Sequence, residues 1–300
     1  VFAAIIISPT LPSLDVLTNY QPKVPLRIYS VEGQLIGEFG EERRAVVKID
    51  SVPKGMRDAI LAAEDERFYQ HGGVDYLGVV RAAISNFVSG GARQGASTIT
   101  MQVARNFFLS KEKTLTRKFT EVLLAFKIEH GLSKDQILEL YINQIYLGQR
   151  AYGFAAASQI YFGKTLDQIA LAEMAMLAGL PKAPSSFNPV VNPKRAKLRQ
   201  QYVLRRMREL GFITDAQWQS ADKQALAVKR TTNEFSVKGD HFTEMVRQLM
   251  FDRFKEEAYT SGFRVFTTLS AAHQDAAYAA VRKGVLEYDR RRGYRGAESY

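Results

Sequence analysis

Residues Glu64–Gly73 read EDERFYQHGG, and they close a run of residues whose apolar spacing is helical. Met56, Ile60 and Ala63 recur at steps of four and three, which predicts a helix that ends near Glu64. The apolar face of that helix would raise the pKa of Glu64 by desolvation, and the two acids that follow would disfavour a second negative charge. A general acid or base needs such an environment. The alternative is a solvated, charged turn.

The composition limits the classes of protein and partner. The chain has 300 residues and is 46% hydrophobic, which is enough for one large or two medium domains. Its net charge of +10 indicates an acidic partner, for which nucleic acid, an anionic membrane surface and a phosphorylated substrate are the candidates. The absence of cysteine excludes disulfides and thiolate metal sites, and the four histidines are scattered, so no metal-ligating residues are predicted.

Several well-known motifs are incomplete. The glycine-rich segment 90–95 lacks the Lys-Ser/Thr of a phosphate loop and does not follow a strand as the dinucleotide fingerprint does. The pattern Ser-x-x-Lys of penicillin-binding enzymes occurs at Ser51, Ser110 and Ser220, but neither Ser-Asp-Asn nor Lys-Thr-Gly accompanies it. None of these motifs therefore predicts an activity.

Four regions are predicted along the chain. Residues 1–7 are apolar and predict the remnant of a transmembrane anchor, with a short buried strand or helix as the alternative. Residues 8–48 predict an extended, proline-rich connector and a β-hairpin. Residues 49–225 are mostly helical, and residues 226–300 predict a helix, a strand and a helix that form an incomplete α/β region.

Helix signals are clearest in the mostly helical region. The stretch from Val74 to Val88 is amphipathic with few charges, so it is a candidate to lie against lipid, with core packing as the alternative. A basic helix is predicted from Pro193 to about Leu210. Capping boxes predict three more helices, which begin after Ser133, Thr165 and Thr214.

Two acids on predicted helices, Glu64 and Glu121, have cations between them in sequence. Two carboxyls that leave room for a hydroxyl or a water are the usual device of glycosyl chemistry with inversion. A transferase that expels a diphosphate also needs cations to meet the developing charge, whereas a hydrolase does not. The candidate cations are Arg105, Lys113, Arg117 and Lys118. The alternative is an exposed basic face with ordinary helix salt bridges to Glu121.

Five blocks of residues follow one another in the mostly helical region. They are Glu64-Asp65-x-x-Phe68-x-x-His71-x-Gly73; Gly95-x-Ser97-Thr98-Ile99-x-x-Gln102-x-x-Arg105-Asn106; Arg117-Lys118-x-x-Glu121 with Glu129; Lys134-x-x-Ile137-Leu138-Glu139-x-Tyr141-x-Asn143 with Gly148; and Tyr161-Phe162-Gly163-Lys164 with Glu173 and Leu177-Ala178-Gly179-Leu180-Pro181. In this order they resemble the peptidoglycan glycosyltransferase domain (glycosyltransferase family 51) of class A penicillin-binding proteins. The resemblance covers residues 49–225, and five blocks in order make it specific.

The resemblance implies a mainly α, lysozyme-like glycosyltransferase domain with a membrane-associated small lobe, to which the stretch from Val74 to Val88 would belong. The implied substrates are lipid II and the growing glycan chain. The implied reaction joins the glycan, as donor, to the 4-hydroxyl of lipid II. It forms a β-1,4 link with inversion and releases undecaprenyl diphosphate.

The resemblance also assigns roles to residues. Glu64 would be the general base for the acceptor hydroxyl. Glu121 would assist at the donor diphosphate, either by orienting it or, with a divalent cation (Mg²⁺ or Mn²⁺), by supporting its departure; no other cofactor is implied. The block at 134–148 is expected to be structural. The remaining residues would bind substrate: Arg105, Lys113, Arg117 and Lys118 at the diphosphate, Ser97, Thr98, Gln102 and Asn106 in the donor groove, and Asp65, Phe68 and His71 from the first block.

Residues 226–300 resemble the linker that leads to the transpeptidase domain in longer members of the family. The catalytic part of that domain is absent from this sequence, so neither penicillin binding nor peptide cross-linking is expected of these residues. The implied location is the extracytoplasmic, periplasmic side of a bacterial cytoplasmic (inner) membrane. The implied partners are the membrane surface and cell-wall synthesis proteins, and no nucleic acid.

Two other functions compete with the transferase. A lysozyme-like glycan hydrolase would use Glu64 as an acid, but the cations near Glu121 argue against it because water needs no diphosphate site. A non-enzymatic basic module that binds a membrane or nucleic acid would need no clustered carboxylates. Its binding would fall steeply with salt and would survive the change Glu64→Gln.

Overall fold

A computed structural model describes residues 11–18, 20, 22–81, 97–109, 115–229, 235 and 237–293. These residues are mostly helical, which confirms the predicted mainly α class. They fall into two compact units, one within Val1–Pro22 and Arg43–Arg230 and the other within Lys23–Glu42 and Thr231–Tyr300.

The helices are α1 (Lys54–Glu64), α2 (Ile99–Phe108), α3 (Leu115–Gly131), α4 (Lys134–Gln144), α5 (Phe154–Phe162), α6 (Leu171–Gly179), α7 (Pro193–Glu209), α8 (Asp215–Lys223), α9 (Asp240–Phe254) and α10 (Ala271–Arg292). The strands are β1 (Leu26–Tyr29), β2 (Leu35–Phe39), β3 (Arg43–Arg44), β4 (Ala151–Tyr152) and β5 (Arg264–Phe266). Shorter helical turns are Asp15–Thr18, Ile49–Ser51, Phe68–Gln70 and Lys255–Tyr259, and residues 76–81 are also helical.

The first unit is built around two groups of helices. Helices α1, α6 and α7 pack on one another, and α2 packs against α3 and α4. Their buried side chains join in one core, in which Met56 and Ile60 of α1 are wholly buried. The apolar spacing of α1 is therefore satisfied as predicted, and the helix ends at Glu64, so that residue lies at the margin of the core.

Capping explains where several helices begin. Complete capping boxes at Ser133 and Thr214 precede α4 and α8, and α7 begins with Pro193 at its first position, as the sequence predicts. The predicted helix after Thr165 is wrong, because residues 166–168 form only a turn and α6 begins at Leu171. Glu173 provides the physical reason, since its Oε2 accepts a 2.8 Å hydrogen bond from the backbone N–H of Ala170 and so caps the later start.

The second unit contains a three-stranded sheet in the order β2-β1-β5. Strands β1 and β2 form the predicted antiparallel hairpin, and β5 pairs in parallel with β1. Helix α9 packs against β2, and the core of this unit includes Leu26, Ile28 and Ile36. The hairpin therefore shares a compact unit with residues more than 200 positions later in sequence. The boundaries predicted from the sequence, at residues 7, 48 and 225, stay a prediction.

Some predicted features lie outside the described residues. They are the apolar segment 1–7, the second half of the amphipathic stretch that ends at Val88, the glycine-rich segment 90–95 and Lys113. In the part of the chain that the structure describes, no helix combines the length and the apolar character needed to cross a membrane.

Asn143 fastens the segment that leads into α1. Its Oδ1 accepts from the backbone N–H of Val47 at 2.9 Å, while its Nδ2 donates to the carbonyl of Val47 at 2.8 Å and to that of Glu139 at 2.9 Å. The Glu139 carboxylate in turn accepts from the N–H of Ile49 at 2.8 Å. One buried amide on α4 thus fixes the approach to α1, and with it the position of Glu64.

We expect Asn143→Ala to lower the free energy of unfolding of the first unit by about 2 kcal/mol, because it leaves both backbone groups of the partly buried Val47 without their partner. Trp218 is the chain's only tryptophan and belongs to α8, so its fluorescence during urea unfolding reports on the first unit. Asn192 is the matched control: its side-chain amide makes only a 3.5 Å contact with Ser185 and no cap hydrogen bond, so Asn192→Ala should change stability by less than about 0.5 kcal/mol. Equal losses in the two variants would contradict this role of Asn143.

Candidate functional site

The carboxyl of Glu64 is held where α1, α2 and α7 meet. Gln102 of α2 donates a 2.8 Å hydrogen bond from Nε2 to Oε2 of Glu64. Nη2 of Arg199, on α7, lies 3.9 Å from Oε1 of the same carboxyl. The Glu64 side chain is only 11% exposed. The carboxyl is therefore oriented by an amide and a cation and is poorly solvated.

Burial raises the pKa of Glu64 above its ordinary value, as the sequence predicts. The hydrogen bond from Gln102 and the charges of Arg199, Lys182 and Arg105 act in the opposite direction and favour the ionised form. A general base has to be ionised before the reaction and has to bind a proton during it. Burial strengthens proton binding by Glu64 and the nearby cations favour its ionised form, so the carboxyl is suited to this task.

The two acids that follow Glu64 have partners of their own. Nε2 of His71 lies 3.0 Å from each carboxylate oxygen of Asp65. Oδ2 of Asp65 also accepts a 3.0 Å hydrogen bond from the backbone N–H of Ile99. Glu66 pairs with Arg81 and Arg206. Asp65 therefore ties the end of α1 to the first residue of α2, so that Gln102 is held beside Glu64.

Thr98 completes the attachment of α2. Its hydroxyl donates to the carbonyl of Gly73 at 2.6 Å and accepts the N–H of Met101 at 3.2 Å, which makes Thr98 the N-cap of the helix. Gly73 has φ +94° and lies so close to Ala125 of α3 that a side chain would meet its backbone at 3.1 Å. Glycine at 73 thus allows the first block to approach both α2 and α3.

Phe68, predicted to bind substrate, lies in the core, and its assignment stays a prediction. The Phe68 side chain is 0% exposed and packs in the core, with Nζ of Lys134 4.3 Å from its ring centroid. In this arrangement the ring fixes the turn that follows α1. His71 is also buried, and its described role is to hold Asp65. The spacing in the first block therefore reflects packing as well as chemistry.

Glu121 is surrounded by cations of its own helix. Arg117 donates from Nη1 to Oε2 at 2.9 Å, and Lys118 donates from Nζ to Oε1 at 2.8 Å. Lys118 also donates to Oγ of Ser97 at 2.9 Å. Because Glu121 is 0% exposed, its carboxylate orients Arg117 and Lys118 and does not itself face solvent.

A cavity of about 570 Å³ lies beside Glu64. Of the predicted substrate-binding residues, the cavity is lined by Asp65, Ser97, Thr98, Gln102 and Arg105. Ser97 connects this cavity to the Glu121 cluster through Lys118. Asn106 is exposed and is not among the lining residues. The structure thus brings together residues from the first three blocks, with Lys113 outside the described residues.

Cations that the sequence analysis did not assign also line the cavity. Arg199 belongs to α7, where it falls on the buried side of the helix with Ala196, Val203 and Met207. A charged residue within an apolar stripe has to find a partner of opposite charge, so the spacing contained a usable signal. The other unassigned cations on the wall of the cavity are Arg81, Lys182, Arg205 and Arg206.

The described residues do not form a protein-held site for a divalent cation. Glu121 offers two carboxylate oxygens, and both already accept from Arg117 and Lys118. No group of three or more acidic, histidine or cysteine side chains with metal-binding geometry occurs among the residues described. The positive charge at this end of the cavity comes from side chains.

The chain is similar to known proteins over nearly its whole length. A family model described as "Transglycosylase" matches residues 32–208. Penicillin-binding protein 1A of Neisseria cinerea is 56% identical over 298 residues, which are 99% of this chain and 37% of the relative. Penicillin-binding protein 1A of Escherichia coli (strain K12) is 51% identical over 290 residues, which are 97% of this chain and 34% of the relative.

A solved structure supports the same relationship. The 2.6 Å crystal structure of penicillin-binding protein 1A from Haemophilus influenzae matches with a TM-score of 0.52 and 36% identity, and the match covers 92% of this chain and 31% of that chain. This likeness agrees with the predicted lysozyme-like glycosyltransferase fold. The chain spans little more than a third of the length of the curated relatives that it matches.

The raised pKa of Glu64 predicts a dependence of stability on pH. The folded protein binds the Glu64 proton more tightly than the unfolded chain does, so stability falls as pH rises from the ordinary value of 4.5 through the raised value. Glu64→Gln removes that loss. We expect the variant to gain stability over the parent as pH rises from 4.5 through the raised pKa, by about 1.4 kcal/mol for each unit by which the pKa is raised.

Urea unfolding followed by Trp218 fluorescence at several pH values measures this difference. Asp167→Asn, at an exposed carboxylate of the same unit, is the control and should track the parent at every pH. A Glu64→Gln variant that is less stable than the parent at about pH 8 would show that ionised Glu64 stabilises the fold.

Proposed function

This chain belongs to the transglycosylase family, the peptidoglycan glycosyltransferases of class A penicillin-binding proteins, and on that premise we propose that it polymerises lipid II into glycan strands. The proposed reaction forms β-1,4 links with inversion at the anomeric carbon and releases undecaprenyl diphosphate. The observation that carries the proposal is the buried carboxyl of Glu64, oriented by Gln102 at the wall of a cavity that cations also line.

Glu64 acts as the general base in this proposal. It takes the proton from the 4-hydroxyl of the acceptor lipid II, whose oxygen bonds to the anomeric carbon of the donor glycan. The bond from that carbon to the diphosphate breaks, and the diphosphate leaves with the electron pair. The raised pKa supports this role, because a base is most effective when its pKa lies near the working pH.

Cations stabilise the diphosphate as it leaves. Arg105 lines the cavity, and Lys118 reaches the same wall through Ser97. Fixed positive groups at a site of developing negative charge lower the barrier, because no solvent has to reorganise around them. Arg117 is held by the same carboxylate as Lys118, so Glu121 supports both cations as an orienting group. Lys113 is assigned to this group from the sequence alone.

The same cations favour a transferase over a hydrolase. A water nucleophile needs a base and an acid but no diphosphate site. The cavity instead has six cationic side chains on its described wall, which are Arg81, Arg105, Lys182, Arg199, Arg205 and Arg206. Four of them, Arg81, Arg199, Arg205 and Arg206, pair with acids of the same wall. Arg105 and Lys182 are therefore the wall cations proposed to meet the lipid-linked diphosphate of lipid II.

We place the reaction at the outer face of a bacterial cytoplasmic (inner) membrane, on the periplasmic side. Tyr76, Leu77 and Val80 of the helical residues 76–81 are strongly exposed, which supports contact of this lobe with lipid. Residues 226–300 are proposed to lead toward a transpeptidase domain in the intact protein. That protein would carry both activities and work with other cell-wall synthesis proteins.

Glu64→Gln should reduce polymerisation of labelled lipid II by roughly 10²–10⁴-fold, because the amide cannot take the acceptor proton. Gel-resolved glycan formation measures the loss, with Asp167→Asn as a control that should keep the parent rate. An undiminished yield from Glu64→Gln would refute the base. Shortening of pre-made glycan without polymerisation would favour the hydrolase. Salt-sensitive membrane or nucleic-acid binding without either activity would favour the binding module.

Glu121 and Lys118 should behave as one unit. We expect Glu121→Gln and Lys118→Met each to slow polymerisation by about 10²-fold, and the double variant to be little slower than the poorer single one, because Glu121 acts through the cations it holds. Losses that multiply in the double variant would mean that Glu121 acts on the substrate independently. The pair Lys54 and Asp58 on α1, neither of which lines the cavity, is the control, and Lys54→Met and Asp58→Asn should leave the rate unchanged.

A further inference from the structure

The carboxylate of Glu66 is shared by two arginines that come from different parts of the first unit. Its Oε1 accepts from Nη1 of Arg81, in the helical residues 76–81, and its Oε2 accepts from Nη2 of Arg206, on α7. All three side chains line the cavity beside Glu64. Each oxygen of one anionic group therefore faces its own guanidinium at the wall of the candidate active site.

The two arginines do not depend on Glu66 alone. Nη1 of Arg206 also donates to Oε2 of Glu209, three residues further along α7. The side chain of Arg81 is 55% exposed, so water can solvate its guanidinium. Without Glu66, neither cation would be both buried and unpaired, which is the situation that makes a broken ion pair costly. The support of the fold therefore does not explain why Glu66 lies between them.

Arginine binds carboxylate and phosphate groups in the same way. The planar guanidinium fits either anion with charge-assisted hydrogen bonds from neighbouring nitrogens. Two arginines that donate to different oxygens of one anion are therefore the arrangement that would also hold a phosphate. In Glu66 the protein supplies that anion itself, on a flexible side chain that lies two residues from the proposed base.

The proposed reaction brings two lipid-linked diphosphates to the site in each turnover. The donor loses its diphosphate, whereas the acceptor lipid II keeps its own. Arg105 and Lys182 are the lining cations for which the described residues form no ion pair. Two single positive charges can balance one diphosphate, which is charged on each phosphate, but not a second one. The second diphosphate therefore needs cations that are paired in the free protein.

We propose that Arg81 and Arg206 form a subsite for the second diphosphate, and that Glu66 occupies this subsite until a phosphate of the substrate displaces it. Glu66 thereby lowers the affinity of the subsite, because every ligand has to compete with a carboxylate that belongs to the protein. An anion that binds these arginines more weakly than Glu66 does is excluded, so the same carboxylate makes the subsite selective. This inference rests on the proposed function.

Isothermal titration calorimetry with inorganic pyrophosphate tests the competition without any need for activity. Glu66→Gln keeps the size of the side chain and removes its charge, so the dissociation constant for pyrophosphate should fall about tenfold. Glu287→Gln is the matched control, because it makes the same change of charge at an exposed glutamate of the second unit. Its dissociation constant should equal that of the parent.

The gain in affinity should depend on the arginines. Arg206→Met in the Glu66→Gln background should return the dissociation constant for pyrophosphate to within about threefold of the parent value. Arg206→Met alone should change it by less than about threefold, because Glu66 already neutralises Arg206 in the parent. The urea midpoint of Glu66→Gln, followed by Trp218, should stay near the parent value, because Glu209 still holds Arg206.

Polymerisation of labelled lipid II gives a second readout. Glu66→Gln should lower KM about tenfold, with kcat within about twofold of the parent, because the competing carboxylate opposes binding in the ground state and in the transition state alike. A structural tie would give the opposite result, since its loss would misplace the wall of the cavity and would raise KM or lower kcat.

A dissociation constant for pyrophosphate that is unchanged or higher in Glu66→Gln would overturn the inference. A gain that survives Arg206→Met would also overturn it, because the anion would then bind elsewhere. So would a marked fall in the urea midpoint of Glu66→Gln, which would make Glu66 a structural bridge from residues 76–81 to α7. If the parent makes no glycan, the proposed function fails, and the pyrophosphate titration still decides whether Glu66 masks the two arginines.

Discussion

A carboxyl group held out of water at the end of α1 is the constraint on which the site depends. Ionised Glu64 is disfavoured by burial, and only a donor and nearby cations make the charged form accessible. Those groups come from different helices, Gln102 from α2 and Arg199 from α7. The packing of α1 against α7 and the attachment of α2 through Asp65 therefore serve one geometric purpose.

The two acids of the site differ in their surroundings, and this difference assigns their roles. Glu64 has one amide donor and a cation 3.9 Å away, but its burial outweighs both and raises its affinity for protons. Glu121 is paired directly with two cations on its own helix. Two carboxyls in one site with unlike environments suit unlike tasks, proton transfer for Glu64 and the orientation of positive charge for Glu121.

The sequence anticipated features that depend on neighbours along the chain. The apolar spacing of Met56 and Ile60 predicted the helix that ends at Glu64, and the caps at Ser133 and Thr214 predicted the starts of α4 and α8. The box at Thr165 was misleading because Glu173 caps a later start. Phe68 lies in the core, which its spacing in the first block did not reveal, since spacing does not distinguish residues that pack from residues that bind.

The sequence by itself determined the mainly α class, the family resemblance and the choice of Glu64 and Glu121, because these follow from local periodicity and from ordered motifs. The tertiary structure decided which distant residues meet. It brought Arg199 to Glu64 from 135 positions away and paired β5 with β1. Long-range packing of helices and strands sets those contacts, and the pattern within any one segment carries no information about its partner's position.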